Sequence, residues 1–198
     1  MSRNPNPYKR PDHKSREARS LGYPARSVFK LEEIDRRTGL LRPGQHVLDL
    51  GAAPGSWSMY VARKIGAAGR LLAVDLQPIG ASLGPNAVFV QGDALSIEDG
   101  VLGQFAPYDV VLSDMAPSTT GSKEADAAKS EELFLRAAEV GAQLGRPGSA
   151  FVGKLFMGGG FEPTRARLRE LYDQVRVIRP EGTRSNSVEV FLVGMHRK

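Results

Sequence analysis

The chain has 198 residues, 41% hydrophobic and 25% charged, the balance of one ordinary globular domain with its own core. It has no cysteine, which excludes disulfides and thiolate metal sites. No apolar run approaches the roughly 18 residues of a membrane helix, and Met1-Ser2-Arg3-Asn4-Pro5 lacks an apolar signal core, so a cytoplasmic protein is expected.

The formal charge of +5 is unevenly placed. Residues 1–30 hold eight Lys/Arg and two acids, and the remainder holds 19 bases and 20 acids. Residues 1–25 therefore read as a basic arm, mobile when free, ahead of a single domain over 26–198. Such an arm meets a phosphate backbone or serves as a solubilising tail. Tyr8, Tyr23 and Phe29 lie among the bases and can stack on the bases of an RNA.

Ser27 to Arg37 has helical periodicity, with Val28, Leu31 and Ile34 on one stripe, and Gly39 ends it. Arg42-Pro43-Gly44 is a turn. His46 to Trp57 then reads H-V-L-D-L-G-A-A-P-G-S-W. A short apolar run breaks into Gly51, Pro54 and Gly55, and a helix over Ser56–Ile65 follows. Strand, glycine loop and helix in that order bring backbone close to a nucleotide-like ligand. The helix turns its N–H groups and positive dipole end toward the loop.

Three further apolar runs end in acids: Arg70–Asp75, Ala87–Asp93 and Tyr108–Asp114. Pro78 to Pro85 is poor helix, and Ala94–Leu102 has room for one or two helical turns. Lys123 to Leu144 is the longest helical stretch, stopped by Gly145-Arg146-Pro147-Gly148. Ser149–Phe156 is a fifth strand and Met157-Gly158-Gly159-Gly160 a loop. Pro163–Tyr172 is a helix carrying Arg165, Arg167 and Arg169. Val175–Ile178 and Ser187–Met195 are two closing strands. The alternation predicts an α/β fold with a seven-stranded, mostly parallel sheet and the last strand inserted antiparallel.

In such sheets ligands sit outside the carboxyl ends of the strands, so the glycine loop and the three aspartates are expected on one rim. The loop is G-A-A-P-G, a poor match to G-x-G-x-x-G, which argues against a nicotinamide dehydrogenase. Asp75 follows Gly55 by twenty residues, the spacing of an acid that accepts ribose hydroxyls. Asp93 is placed to accept from an adenine amino group, or to form a turn. Trp57 packs on the ligand or on the core. Gly148 to Lys154 fits G-x-x-x-x-G-K, but Leu155 takes the Ser/Thr position and the residues between form an apolar strand, so an NTPase loop is rejected. His13, His46 and His196 are scattered and suggest no metal site.

Lys154 stands inside Phe151-Val152-Gly153-Lys154-Leu155-Phe156, a run expected to be buried. Burying an ammonium disfavours its charged form, so such a lysine calls for a partner or a task. Glu189, between Val188 and Val190, poses the same question with opposite sign. A Lys154–Glu189 pair across neighbouring strands is the economical answer.

Together D-L-G-A-A-P-G-S-W, S-V-F-K-L-E-E-I, S-D-M-A-P, the strand carrying Lys154 and V-E-V-F-L-V resemble the FtsJ/RrmJ ribose 2′-O-methyltransferases, from about Arg26 to Lys198. Ser56 replaces a common glycine. The resemblance implies a Rossmann-like class I fold that binds S-adenosyl-L-methionine. It implies a tetrad of Lys30, Asp114, Lys154 and Glu189, and cofactor positions at Gly55, Trp57, Asp75, Asp93 and Asp114, with no metal. It also implies a uridine ribose of large-subunit (23S) ribosomal RNA, on the 50S subunit, as substrate. A tRNA or another RNA is the alternative within this chemistry. The basic arm and the three arginines of Pro163–Tyr172 are expected on RNA phosphates.

Overall fold

The structure, a computed structural model, describes residues 13–181, 183 and 187–198, apart from the Asp99 side chain. Helices α1 (His13–Ser20) and α2 (Val28–Thr38) precede β1 (His46–Leu50), α3 (Ser56–Ile65), β2 (Arg70–Asp75) and β3 (Ala87–Gln91). There follow α4 (Asp99–Leu102), β4 (Tyr108–Ser113), α5 (Lys123–Leu144), β5 (Gly145–Phe156), α6 (Phe161–Leu171), β6 (Tyr172–Ile178) and β7 (Glu189–Arg197). No helix among the described residues is long and apolar enough to cross a membrane.

The seven strands form one sheet in the order β3-β2-β1-β4-β5-β7-β6. Pairing is parallel from β3 to β5, and β7 runs antiparallel between β5 and β6. This is the expected arrangement. A single hairpin-like connection replaces a crossover helix between β6 and β7, so β7 must reverse. The chain leaves β1 toward β2 on one side and returns to β4 on the other. The gap above β1 and β4 is thus a topological switch point, where an open α/β sheet has its crevice.

Apolar alternation sorts the strands onto two layers. Val47, Val110, Leu112, Val152 and Phe191 face α2 and α3, against Leu31, Ile34, Trp57 and Val61. Leu48, Val111, Phe151, Leu155 and Leu192 face α5 and α6, against Phe134, Ala137 and Leu168. Helix α2 ends where Gly39 takes φ 64°, its N–H bonding to the Asp35 carbonyl. Helix α5 starts on Ser122, whose hydroxyl accepts from the Ala125 N–H, with Glu124 and Asp126 in its first turn.

Two boundaries differ from the sequence reading. The arm expected over residues 1–25 is folded from His13 onward. Helix α1 puts Ala18 into the core at 0% exposure, and Ala25 is bonded to Ser56. One buried alanine in a helix of strongly polar composition is too weak a periodic signal to read. Residues 1–12, with Arg3, Tyr8, Lys9 and Arg10, lie outside the described residues. Strand β5 begins at Gly145, not Ser149, because Gly145 still pairs with Tyr108 before the register shifts and resumes at Val110 and Ala150.

Candidate active site

The loop after β1 turns at Gly51, where φ is 79° and a side chain would meet Met115 at 2.8 Å. Only glycine allows both the left-handed backbone and this approach. The same loop ends at Gly55, at φ 109° and N-terminal to α3, where a Cβ would strike Ile79 at 2.9 Å. Asp75, at the end of β2, holds this loop: its Oδ2 accepts the Ala53 N–H at 2.8 Å and its Oδ1 the Gln77 N–H at 2.7 Å. Asp93 accepts the Leu95 N–H at 2.9 Å.

Around these groups opens a crevice of about 250 Å³, lined among others by Gly51, Ala53, Asp75, Asp93, Asp114 and Met115. The three strand-end aspartates therefore meet, as the spacing predicts. Gly55 and Trp57 do not line it. Trp57 is 2% exposed; its indole N–H donates to the Ser27 carbonyl at 2.9 Å and its ring lies 5.6 Å from that of Phe191. Its side chain is spent on the core, the second of the two sequence readings.

Lys154 is buried, at 7% exposure, and donates to the Asp114 carbonyl oxygen at 2.6 Å and to Asp114 Oδ1 at 3.0 Å. Glu189 instead receives Lys30, Nζ to Oε1 2.5 Å, both side chains little exposed. The expected Lys154–Glu189 pair is thus not the one that forms. Register explains this. Gly153 pairs with Ser113 in a parallel ladder, so Lys154 falls level with Asp114 at the next position, whereas Glu189 pairs with Phe156, two residues beyond Lys154. Helix α2 then supplies the amine that Glu189 needs.

The two ion pairs are neighbours. Phe191 is opposite Lys154 in the β5–β7 ladder, two residues from Glu189 and on the same face. The Lys30 ammonium sits 5.9 Å from the Phe191 ring centre. One aromatic floor thus lies beside two amines and two carboxylates, with Asp114 also on the crevice wall.

One residue the sequence reading passed over is Asp49. It occupies the strand before the glycine loop at 0% exposure, and Ser58 donates to its Oδ2 at 2.6 Å while Oδ1 has no hydrogen-bond partner among the described residues. Burial, with Asp114 and Asp75 nearby, pushes its carboxyl up to about 7, against the Ser58 bond. An acid at a core position of an alternating strand is the signal that could have found it.

Other expected contacts are occupied by the protein. The Tyr23 ring lies under Arg63 at 4.6 Å, and Phe29 packs against the core. On α6, Arg165 pairs with Glu162 at 3.4 Å and Arg167 with Glu170. Among the described residues no group of three or more His, Cys, Asp and Glu could hold a metal ion.

A doubly wound sheet with a glycine loop, and with acids converging on a crevice at its switch point, defines a protein of the Rossmann-like class. Residues 23–197 match the model of the FtsJ-like methyltransferases, and the chain belongs to that family. It is 67% identical over 193 residues to the Sorangium cellulosum protein named ribosomal RNA large subunit methyltransferase E, covering 98% of this chain and 91% of the relative. Two solved structures share the fold. One is a Plasmodium falciparum protein described as a ribosomal RNA methyltransferase, with TM-score 0.77 and 24% identity, covering 88% of this chain and 98% of that one. The other is Aeropyrum pernix fibrillarin with natively bound S-adenosyl-L-methionine, with TM-score 0.62 and 15% identity, covering 85% of this chain and 76% of that one.

Proposed function

We propose that this protein methylates the ribose 2′-oxygen of a uridine in large-subunit (23S) ribosomal RNA, on the assembled 50S particle and in the cytoplasm. S-Adenosyl-L-methionine is the methyl donor, and no metal takes part. The observation that carries the reading is the buried Lys154 ammonium held on Asp114 at the edge of the crevice. The name of the Sorangium relative supports the substrate.

The crevice residues suit the donor. Adenosine presents hydroxyl and amino donors around a flat apolar ring. Asp75 and Asp93 supply acceptors, and Val74, Leu76 and Met115 supply apolar wall. Asp75 takes the ribose hydroxyls, Asp93 the adenine amino group, and Gly55 lets the end of the loop turn tightly into α3. When bound, the donor supplies an electrophilic methyl group on a sulfonium.

The protein's task is to align an incoming oxygen and to manage its proton. Alignment of this kind is worth roughly 7–11 kcal/mol of barrier. Lys154 is the group at that oxygen. As a neutral amine it takes the 2′-hydroxyl proton, and as an ammonium it orients the oxygen lone pair. Asp114 fixes the direction of its N–H bonds, and Lys30 and Glu189 form the second wall. The 2′-hydroxyl distinguishes RNA from DNA.

The test is to map ribose methylation of ribosomal RNA from a strain lacking the gene. One uridine in the large-subunit RNA should lose its methyl group and regain it on purified 50S particles with enzyme and donor. Loss of a methyl group from tRNA instead would move the substrate to the alternative reading.

A further inference from the structure

The connection between β6 and β7 leaves the sheet at the rim where the crevice opens, because β6 runs parallel to β5. Both of its ends are tied to one face of α2. Lys30 and Glu33 are three residues apart on that helix and so lie side by side. Lys30 holds Glu189, where the connection re-enters the sheet, at 2.5 Å. Glu33 Oε2 accepts the N–H of Glu181, where the connection begins, at 2.9 Å across 148 residues of sequence. Arg179 donates to the Ser187 carbonyl at 2.7 Å, and the Ser187 hydroxyl accepts the Glu189 N–H at 3.3 Å, so the two ends are also tied to each other.

Glu33 is 7% exposed. A buried carboxylate is costly unless it is paired. Here Arg37, one turn on, reaches Oε1 at 2.5 Å and leaves Oε2 for the Glu181 amide. An apolar residue would fill the same site without that cost. A charge held in place by its own helix and aimed at a distant backbone N–H is a tether.

We propose that Glu33 is a positioning residue for methyl transfer: it holds the start of the β6–β7 connection against α2 and thereby keeps Glu189 on the Lys30 amine. The proposal rests on the methyl-transfer reading above. It adds a residue outside the tetrad and gives α2 two tasks, supplying Lys30 and anchoring Lys30's partner.

The experiment compares Glu33→Ala and Glu33→Gln, using labelled S-adenosyl-L-methionine and 50S particles that lack the modification. Amide exchange at Glu181 and calorimetric cofactor affinity are followed in parallel. Glu33→Ala should speed exchange at Glu181 and lower kcat by about 10- to 100-fold, the scale of a misplacement near 1 Å. Its cofactor Kd should stay within about twofold of wild type, because Glu33 does not line the crevice. Glu33→Gln keeps a carbonyl acceptor for the Glu181 N–H and should recover most of the rate. Unchanged exchange in Glu33→Ala would overturn the tether. Fast exchange with wild-type kcat, or equal loss in both variants, would overturn its role in the reaction. If Glu33→Ala folds poorly, Glu181→Pro deletes the same donor from an exposed position and is read by kcat and cofactor Kd, where a wild-type kcat would overturn the proposal and a loss of about 10- to 100-fold with unchanged Kd would support it. A wild type that methylates no RNA would overturn the functional reading itself, and is recognised before any substitution is made.

Discussion

Lys154 Nζ lies 2.6 Å from the Asp114 carbonyl oxygen and 3.0 Å from its carboxylate, so one ammonium is held at two points by one residue. The bond to the backbone fixes the amine to the end of β4, and the bond to Oδ1 fixes the acid beside the crevice. Neither acceptor can move far without the other. Lys154→Ala should therefore lower kcat by about 10²–10⁴-fold, the usual range for a positioned proton-transfer group. Cofactor affinity by calorimetry should change little. Lost affinity with retained turnover would remove Lys154 from the chemistry.

Asp75 spends one oxygen on the Ala53 N–H of the glycine loop and the other on the Gln77 N–H. It shapes the crevice and supplies charge to it at once. A hydrogen bond to a charged group contributes about 1.5–3 kcal/mol, so Asp75→Ala should weaken cofactor binding about 10- to 100-fold. The kcat at saturating donor should fall much less. Titration of S-adenosyl-L-methionine into the variant measures this, and an unchanged Kd would exclude Asp75 from the ligand.

Much of this architecture is legible in the residues alone. Helices over Ser56–Ile65 and Lys123–Leu144 have the expected bounds, since glycine and a serine cap mark their ends. The meeting of Asp75, Asp93 and Asp114 follows from the strand–helix alternation, because parallel strands send all their carboxyl ends to one rim. The partner choice of Lys154 is not legible in this way. It depends on a register in which Gly153, not Lys154, faces Ser113, and a one-residue change reassigns every neighbour. Trp57 stands undecided between ligand and core in the sequence, because the Ser27 carbonyl that takes its N–H is thirty residues upstream. Glu33 is hidden for the same reason at greater distance.

Asp49 gives the fold a pH dependence with a definite sign. Its carboxyl is held at about 7 in the folded protein, against an ordinary value of 3.8. A raised folded value means that the native state binds the proton more tightly. The contribution is fully present below the ordinary value and is lost as pH rises from about 4 through about 7, at up to about 1.4 kcal/mol per unit. Asp49→Asn should flatten this part of the stability–pH curve, with the change confined to that window. Urea midpoints from pH 4 to 8 would read it. Identical slopes in both proteins would mean that Asp49 is ionised in the fold throughout.

The charges of residues 1–12 can be separated from helix α1. Residues 1–12 carry Arg3, Lys9 and Arg10 against Asp12, while residues 13–20 form α1 and bury Ala18 in the core. Tyr23 donates its N–H to the Ala18 carbonyl at 2.9 Å, so α1 also fixes the chain that leads into α2 and Lys30. Deleting residues 1–12 removes these charges and keeps helix α1 in the chain. It should weaken binding to ribosomal RNA and lower the slope of log K against log salt by about 0.7–0.9 for each phosphate no longer neutralised. Deleting residues 1–20 should add a fall in melting temperature, because a core position is emptied. Binding measured across a salt series, alongside thermal melts, separates the two. If the shorter deletion changes neither affinity nor slope, the arm is a solubilising tail, and the phosphates must be held by bases within the domain.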